Sequence, residues 1–185
     1  TLDMGISYYR LVYARLTGEP FVVAETKNLL IREMTTRDLP ELYAVYSTLE
    51  DCRYIEQLYD YDKELEFTKN YIKNMYGFFE YGLWLVFEKK SGELIGRAGI
   101  ENREIDGVTC REIGYLIRRD MQHKGYAYEA CQAILEYASD ELGIQEMFAV
   151  IDKTNEPSRK LAQKLGFELY AQTDGGPDLY KFVFG

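Results

Sequence analysis

Histidine and cysteine are scarce in this chain of 185 residues, and their scarcity limits its chemistry. His123 is the only histidine, which excludes a Ser-His-Asp hydrolase and most metal sites. The three cysteines, Cys52, Cys110 and Cys131, are an odd number at unrelated spacings, and no Cys-x-x-Cys pair occurs. This pattern argues against a disulfide framework and a zinc site, so we expect small buried hydrophobic side chains and no bound metal.

Long apolar runs are also missing. No stretch reaches the roughly 18 uninterrupted apolar residues of a membrane span, and the start of the chain lacks the basic-then-apolar layout of a signal peptide. Internal repeats, low-complexity segments and linkers are absent from the sequence as well. We therefore expect a cytoplasmic protein with no membrane partner, in which one domain spans residues 28–185 after an N-terminal extension at residues 1–27.

Positively charged residues are fewer than negatively charged ones. The chain has 22 Lys and Arg residues and 31 Asp and Glu residues, which gives a net charge of −9. Such a field repels phosphate backbones and attracts cations, although acidity also serves solubility alone. The charge argues against a nucleic-acid partner and suits an amine-bearing substrate. Segment 51–62 is both acidic and aromatic, and it is interpreted either as a wall that recognises an amine or as a solvated loop.

Hydrophobic periodicity predicts an α+β fold. Residues 111–118 alternate as a strand does, and residues 125–142 carry apolar side chains at helical spacing up to Gly143, a natural left-handed cap. Because a strand at 147–151 follows, this helix is a crossover that makes the strands on either side of it parallel neighbours. Apolar runs at 83–87 and 94–100 and the Asp106-Gly107 turn predict an antiparallel meander before it.

Further helices are predicted on both sides of this core. Residues 35–38 (TTRD) supply an N-cap for a helix that carries Leu39, Leu42, Tyr43 and Tyr46 on one face, and a second helix is expected at about 63–76. Asn155 caps a third helix, which ends at Gly166. The turn that precedes the 125–142 helix is the candidate ligand site.

Residues 122–127 (QHKGYA) place a helix start directly after the 112–118 strand. Such a start presents N–H groups without intrahelical partners at the positive end of the helix dipole, and Gly125 lets a ligand approach the main chain closely. The turn is therefore an anion site to which His123 and Lys124 would add side-chain donors. A strand-to-helix turn with one glycine is also common where nothing binds, so both interpretations stay open at this point.

The sequence EIGYLI at 112–117, followed by the Gln-x-x-Gly-x-Ala of 122–127, resembles the acetyl-coenzyme A signature of the GNAT superfamily of N-acetyltransferases. NEPSRKLAQKLGF at 155–167 resembles the next motif of that superfamily, in the expected order and at the expected distance. The combination of Glu-Ile-Gly-Tyr with Asn-x-x-Ser is most similar to the RimJ/RimL-like branch, which acetylates ribosomal-protein N-termini. The resemblance covers roughly residues 28–184.

The resemblance implies a twisted, mixed but mostly antiparallel sheet of about seven strands flanked by helices. It also implies acetyl-coenzyme A as cosubstrate, with the pyrophosphate on residues 123–128 and the pantetheine arm in the gap between the two parallel strands. The expected cofactor contacts are Leu116, Ile117, Arg118, Gln122, His123, Lys124, Gly125, Tyr126, Ala127, Tyr128, Asn155 and Ser158.

Glu112 is the candidate base for the transfer. On a strand, Glu112 and Gly114 point to one face, so the carboxylate would look into the gap while its neighbours fill the core. The alternative is a salt bridge with an arginine such as Arg111 or Arg97 on the sheet surface. Both interpretations stay open here.

The candidate acid differs from the commonest family pattern. Many members carry a tyrosine one residue after a leucine of the second motif, but here Leu161 is followed by Ala162. Ser158 is the donor that the ribosomal-protein branch suggests, and its alternative role is to satisfy a backbone amide at the helix start.

The resemblance therefore implies an N-acetyltransferase that acts by direct transfer in a ternary complex, with a protein or peptide N-terminus as the first choice of acceptor. An α-amine with a pKa near 8 is about 1 unit from neutrality at pH 7, whereas a lysine-type amine near 10.4 is more than 3 units away. A small polyamine or aminoglycoside-like acceptor and an acyl-coenzyme A-binding module without turnover are the alternatives, and a homodimeric state is left open.

Overall fold

The computed structural model describes residues 6–49, 53–105 and 107–185. Within them, the helices are α1 (Ile6–Thr17), α2 (Leu39–Ser47), α3 (Tyr61–Tyr71), α4 (Tyr126–Asp140) and α5 (Glu156–Leu165). The strands are β1 (Val22–Glu25), β2 (Leu29–Arg32), β3 (Leu83–Glu88), β4 (Leu94–Ile105), β5 (Val108–Ile117), β6 (Glu146–Ile151), β7 (Glu168–Ala171) and β8 (Asp178–Val183). Asp51, Cys52 and Asp106 lie outside the described residues, and so does the first residue of the turn expected at Asp106-Gly107.

These strands form one sheet in the order β1-β2-β3-β4-β5-β6-β8-β7. Every neighbouring pair is antiparallel except β5 and β6, which are parallel. Helix α4 is the crossover between them, as a parallel connection requires. The predicted α+β fold with a mostly antiparallel sheet is confirmed, and an eighth strand, β1, comes from the segment before residue 28.

Helices cover both faces of the sheet. Trp84 of β3 packs edge-on against Tyr137 of α4, with the ring centroids 5.5 Å apart. Arg97 of β4 lies instead against α2, where its Nη1 is 3.4 Å from the Tyr46 hydroxyl. Because Trp84 pairs with Ala98 across the strands, Trp84 and Arg97 point to opposite faces. Helices α4 and α2 therefore lie on opposite sides of the sheet.

The segment after α3 differs from the predicted α-helix at 63–76. The α-helix ends at Tyr71 and continues as a π-helical stretch, Ile72–Phe79. In this wider turn Tyr71 and Tyr76, five residues apart, come face to edge at 5.6 Å and both hydroxyls bond to the main chain of Leu83. The tertiary contact with β3, which sequence periodicity does not report, selects this geometry.

Two glycines of β4 allow very close approach of the neighbouring main chains. A Cβ on Gly99 would lie 1.9 Å from the carbonyl oxygen of Gly82, and one on Gly96 would lie 2.2 Å from that of Leu116. Any side chain at these positions would force backbone atoms apart. The spacing of β3, β4 and β5 thus depends on the absence of side chains there.

We expect Gly99→Ala to lower the free energy of unfolding by about 3 kcal/mol, because main-chain atoms rather than a flexible side chain must move. Urea denaturation measures this loss. Gly77→Ala is the matched control, since its Cβ would lie 3.6 Å from the Ile72 oxygen, an ordinary contact. That control should stay within about 0.5 kcal/mol of the wild type, and equal losses in the two variants would contradict the close approach at Gly99.

Candidate active site

Strands β5 and β6 separate almost as soon as they meet. They pair only at Glu112 and Phe148 in the described residues, while β4 holds the outer edge of β5 and β8 that of β6. A cleft of about 1460 Å³ follows the opening and runs from the start of α4 to the segment between α2 and α3. The gap expected between the two parallel strands is therefore present.

The start of α4 faces this cleft with main-chain N–H groups. Gly125 (φ 87°) and His123 (φ 60°) both have left-handed backbone conformations, and no side chain caps the helix. The first intrahelical bond runs from the Glu129 N–H to the Gly125 oxygen, which leaves the amides of residues 126–128 directed out of the helix end. A Cβ on Gly125 would meet no atom within 4 Å, so this end of the cleft is open and suits an anion.

The cleft brings most of the predicted cofactor residues together. They are Leu116, Ile117, Gln122, His123, Gly125, Tyr126, Ala127, Tyr128, Asn155 and Ser158. Arg118 and Lys124 do not line it, because Arg118 forms ion pairs with Glu93 and Asp120 and the Lys124 ammonium lies 3.1 Å from the Met121 sulfur. The cradle for an anion is thus mainly main chain.

The backbone of β5 reaches the gap at fewer positions than the sequence predicted. The Arg118 N–H already donates to the Ile95 oxygen at 2.7 Å, and the Leu116 carbonyl points toward β4 at Gly96. The backbone N–H groups of successive strand residues point to opposite edges of the strand. The Leu116 and Arg118 N–H groups therefore both point toward β4 and not into the gap. Ile117 is the member of the predicted trio whose N–H faces the gap, and its carbonyl accepts a bond from the Gln122 side chain at 2.9 Å.

Glu112 bridges the two strands at the point where they separate. Its Oε1 accepts a 3.3 Å bond from the Val150 N–H, and its Oε2 lies 3.4 Å from Arg103 Nη1, with 14% of the side chain exposed. Burial raises the pKa of Glu112, and the Arg103 charge and the Val150 bond offset part of that rise. The carboxylate therefore lines the cleft and is also in a salt bridge, although with Arg103 rather than with Arg111 or Arg97.

Glu101 is a second cleft carboxylate that the sequence interpretation missed. It sits directly across from Glu112 on β4, and its Oε2 would lie 3.3 Å from a Cβ on Gly114. Among the described residues it has no hydrogen-bond or ion-pair partner; burial raises its pKa, which the charge of Arg97 partly offsets. Finding it requires the register between β4 and β5, and residue patterns do not supply that register.

The Ser158 side chain does not cap its own helix. The Asn155 side chain performs that role by accepting a 3.3 Å bond from the Ser158 N–H, as predicted for a cap. The Ser158 Oγ instead accepts a 2.9 Å hydrogen bond from the Tyr115 hydroxyl. The Ser158 hydroxyl therefore bonds to Tyr115 and not to a backbone amide at the helix start, which was the alternative role.

Metal-binding and membrane-spanning features are not found in residues 6–49, 53–105 and 107–185. There, no group of three or more His, Cys, Asp or Glu side chains could hold a metal ion, and no helix is long and apolar enough to cross a bilayer. Cys131 is fully buried in α4, and burial raises the pKa of its thiol to about 12. Its packing agrees with the small hydrophobic role expected for it.

Residues 28–168 match the acetyltransferase (GNAT) domain family, and the chain belongs to that family of acyltransferases. YkkB, an uncharacterized protein of Bacillus subtilis, is 33% identical over 134 residues, which are 72% of each chain. YoaA, an uncharacterized N-acetyltransferase of the same bacterium, is 27% identical over 150 residues, covering 80% of this chain and 84% of YoaA.

Solved structures agree on the fold. The apo crystal form of RimL, a ribosomal L7/L12 α-N-protein acetyltransferase, has a TM-score of 0.74 at 15% identity, covering 89% of this chain and 95% of RimL. The RimL complex with coenzyme A has a TM-score of 0.68 at 16% identity, covering 88% and 97%. The family match over residues 28–168 confirms the membership in the GNAT superfamily that the two sequence motifs predicted.

The raised pKa of Glu101 predicts a pH-dependent stability. Between the ordinary value of about 4.3 and its raised folded value, the folded state holds more protons than the unfolded state, so the stability contribution of this group falls as pH rises. Glu101→Gln removes the effect. We expect its free energy of unfolding relative to wild type to increase from pH 4 to pH 8, as measured by urea denaturation.

Glu104→Gln is the control for this comparison, because Glu104 lies on the same strand with an exposed side chain. A Glu101→Gln profile parallel to the wild type would show that ionisation does not destabilise the half-buried Glu101 carboxylate.

Proposed function

We propose that this enzyme transfers an acetyl group from acetyl-coenzyme A to a primary amine, in the first place the α-amine at the N-terminus of a protein or peptide, in the manner of the RimJ/RimL-like branch. The opening between β5 and β6 beside the uncapped start of α4 carries this proposal. The fold shared with RimL, an α-N-protein acetyltransferase, supports the choice of acceptor. We place the reaction in the cytoplasm.

The cofactor half of the cleft fits acetyl-coenzyme A by its shape and by its donors. The amides of residues 126–128 and the left-handed turn at His123 and Gly125 are suited to the pyrophosphate, and the open space at Gly125 admits it. The Ile117 N–H would pair with the pantetheine arm. Acetyl-coenzyme A supplies the activated acetyl thioester, and the residues of this chain orient it.

The acceptor half of the cleft combines carboxylates with aromatic rings. Its aromatic lining consists of Tyr46, Tyr54, Tyr59, Phe67 and Tyr71. Glu101 and Glu112 lie at its junction with the cofactor half, so a cationic amine would meet negative charge there. The segment at 53–59 belongs to this lining, which favours its interpretation as a wall over that as a solvated loop.

The acceptor pKa decides how much base the site needs. We assign Glu112 as the base that removes the amine proton, with Glu101 holding the incoming ammonium group. The pKa of an α-amine, near 8, lies only about 1 pH unit above pH 7. A carboxylate held by Arg103 is a strong enough base to remove that proton. A lysine-type amine would require a stronger base.

Acetyl transfer then needs a hydrogen-bond donor for the leaving sulfur. The amine nitrogen forms a bond to the acetyl carbon, and its proton passes to Glu112 and on to solvent. The C–S bond breaks with its electron pair on the sulfur, and the Ser158 hydroxyl donates a hydrogen bond to the charge that develops there. Because a coenzyme A thiol has a pKa near 8.5, like cysteine, this modest donor is adequate, and the thiolate takes its final proton from solvent.

The cofactor assignment predicts that a negative charge at residue 125 blocks binding. Gly125→Asp should weaken acetyl-coenzyme A binding by about 100-fold, because a carboxylate would face the pyrophosphate. Isothermal titration calorimetry measures the affinity. Gly125→Asn is the matched control, since asparagine has the same shape, carries no charge and tolerates a left-handed conformation; equal affinity of the two variants would refute the placement.

The acceptor assignment is tested by thiol release across a panel of peptide α-amines, lysine side chains, polyamines and aminoglycosides. We expect turnover with the peptide α-amines, and Glu112→Gln should lower kcat by about 100-fold without weakening cofactor binding. Glu104→Gln, which removes an exposed carboxylate from β4, should leave kcat unchanged.

Other results of the panel identify the alternatives. Turnover confined to the small amines would make the enzyme a small-molecule acetyltransferase. Binding of acetyl-coenzyme A with no turnover on any amine would make it an acyl-coenzyme A-binding module.

A further inference from the structure

The hydrogen bond between Tyr115 and Ser158 spans the two motifs of the chain. Tyr115 is on β5 and points away from the face of Glu112, and Ser158 lies in the first turn of α5. Their hydroxyl oxygens are 2.9 Å apart, with Tyr115 as the donor, and both residues line the cleft. The bond therefore lies beside the gap between β5 and β6.

The phenol beside Ser158 comes from strand β5, since helix α5 contains no tyrosine. Ala162, which stands where many family members have a tyrosine, is buried with 5% of its surface exposed. The Tyr115 hydroxyl comes instead from the facing strand and contacts α5 one turn nearer the helix start. The chain thus keeps a tyrosine hydroxyl near the site, but in contact with a serine.

The direction of the bond constrains the serine hydrogen. A serine hydroxyl has one hydrogen and two lone pairs, and one lone pair accepts from Tyr115. The Ser158 hydrogen consequently cannot point at Tyr115. Among the described residues no other group is hydrogen-bonded to the Ser158 Oγ, so its hydrogen is available to the cleft.

We propose that Tyr115 is a positioning residue for acetyl transfer: its hydroxyl donates to the Ser158 Oγ and so directs the Ser158 hydrogen toward the leaving sulfur. This inference rests on the proposed function and on the assignment of Ser158 as the donor. Tyr115 keeps its own proton throughout, and the electron pair of the broken C–S bond stays on the sulfur until solvent protonates it.

The surroundings of Tyr115 suit this role. Burial raises its pKa to about 12, and the bond to Ser158 offsets part of the rise. The phenol therefore stays protonated, and remains a donor, well above neutral pH. Donation from a phenol also polarises the Ser158 O–H bond and strengthens the hydrogen bond that this serine gives to an anion.

A double-mutant cycle tests the inference on the acceptor identified with the amine panel. We expect Tyr115→Phe to lower kcat by about tenfold, the effect of one lost hydrogen bond in the transition state, and to leave the KM for acetyl-coenzyme A within about twofold. In the Ser158→Ala background the same change should have no further effect, because the residue through which Tyr115 acts is gone.

Tyr81→Phe is the matched control. The Tyr81 hydroxyl bonds to the Asn102 side chain at 2.6 Å in a buried position outside the cleft, and losing that bond should leave kcat unchanged. Thermal denaturation of all variants separates a stability effect from a kinetic one. Tyr115→Phe and Tyr81→Phe should lower the melting temperature by similar amounts, whereas only the former lowers kcat.

Three results would overturn the inference while leaving the proposed acetyl transfer to an amine in place: an unchanged kcat in Tyr115→Phe, losses that multiply in the double variant, or an unchanged kcat in Ser158→Ala. The last of these would also remove the donor role assigned to Ser158. A lower kcat accompanied by an equal rise in the KM for acetyl-coenzyme A in Tyr115→Phe would also overturn it, as a defect in cofactor binding. Failure of the wild type to turn over any amine would instead defeat the proposed function itself.

Discussion

The separation of β5 from β6 is the constraint on which the rest of this structure depends. Two parallel strands that paired along their full length would satisfy each other's backbone groups and leave no site. Here each strand is held on its outer edge by an antiparallel partner, so the inner edges can part beyond Glu112 and Phe148 without unravelling the sheet. The unpaired backbone groups on the inner edges of β5 and β6 thus lie where a ligand in the gap could hydrogen-bond to them.

Different polar side chains lie beside the gap on the two faces of the sheet. Strand alternation sends Glu112 toward the α2 side, where Glu101 and the aromatic lining lie, and sends Tyr115 toward Ser158 on α5. A thioester in the gap would have carboxylates on one side and a hydroxyl pair on the other. In the proposed mechanism, base and donor would therefore come from opposite sides, which would keep the proton acceptor away from the leaving sulfur.

Local patterns in the sequence predicted elements best where a motif and a boundary signal coincide. The crossover helix, its left-handed Gly143 and the Asn155 cap are all found close to their expected positions, because each depends on a few neighbouring residues. The π-helical turn after Tyr71 was not predicted, since the two tyrosine hydroxyls that stabilise it bond to the main chain of β3. Local propensity carries no information about such a partner.

The candidate site shows the same division. The sequence alone determined the strand-turn-helix motif and the α+β class, because these follow from residue types at short spacings. The family and the candidates Glu112 and Ser158 came from the resemblance of two sequence motifs to the GNAT superfamily. Only the tertiary structure decided that Glu101 faces Glu112, that Arg103 pairs with it, and that Tyr115 bonds to Ser158. Those contacts depend on the register between strands and on the placement of α5 against β5, which are set by packing between residues far apart in the chain.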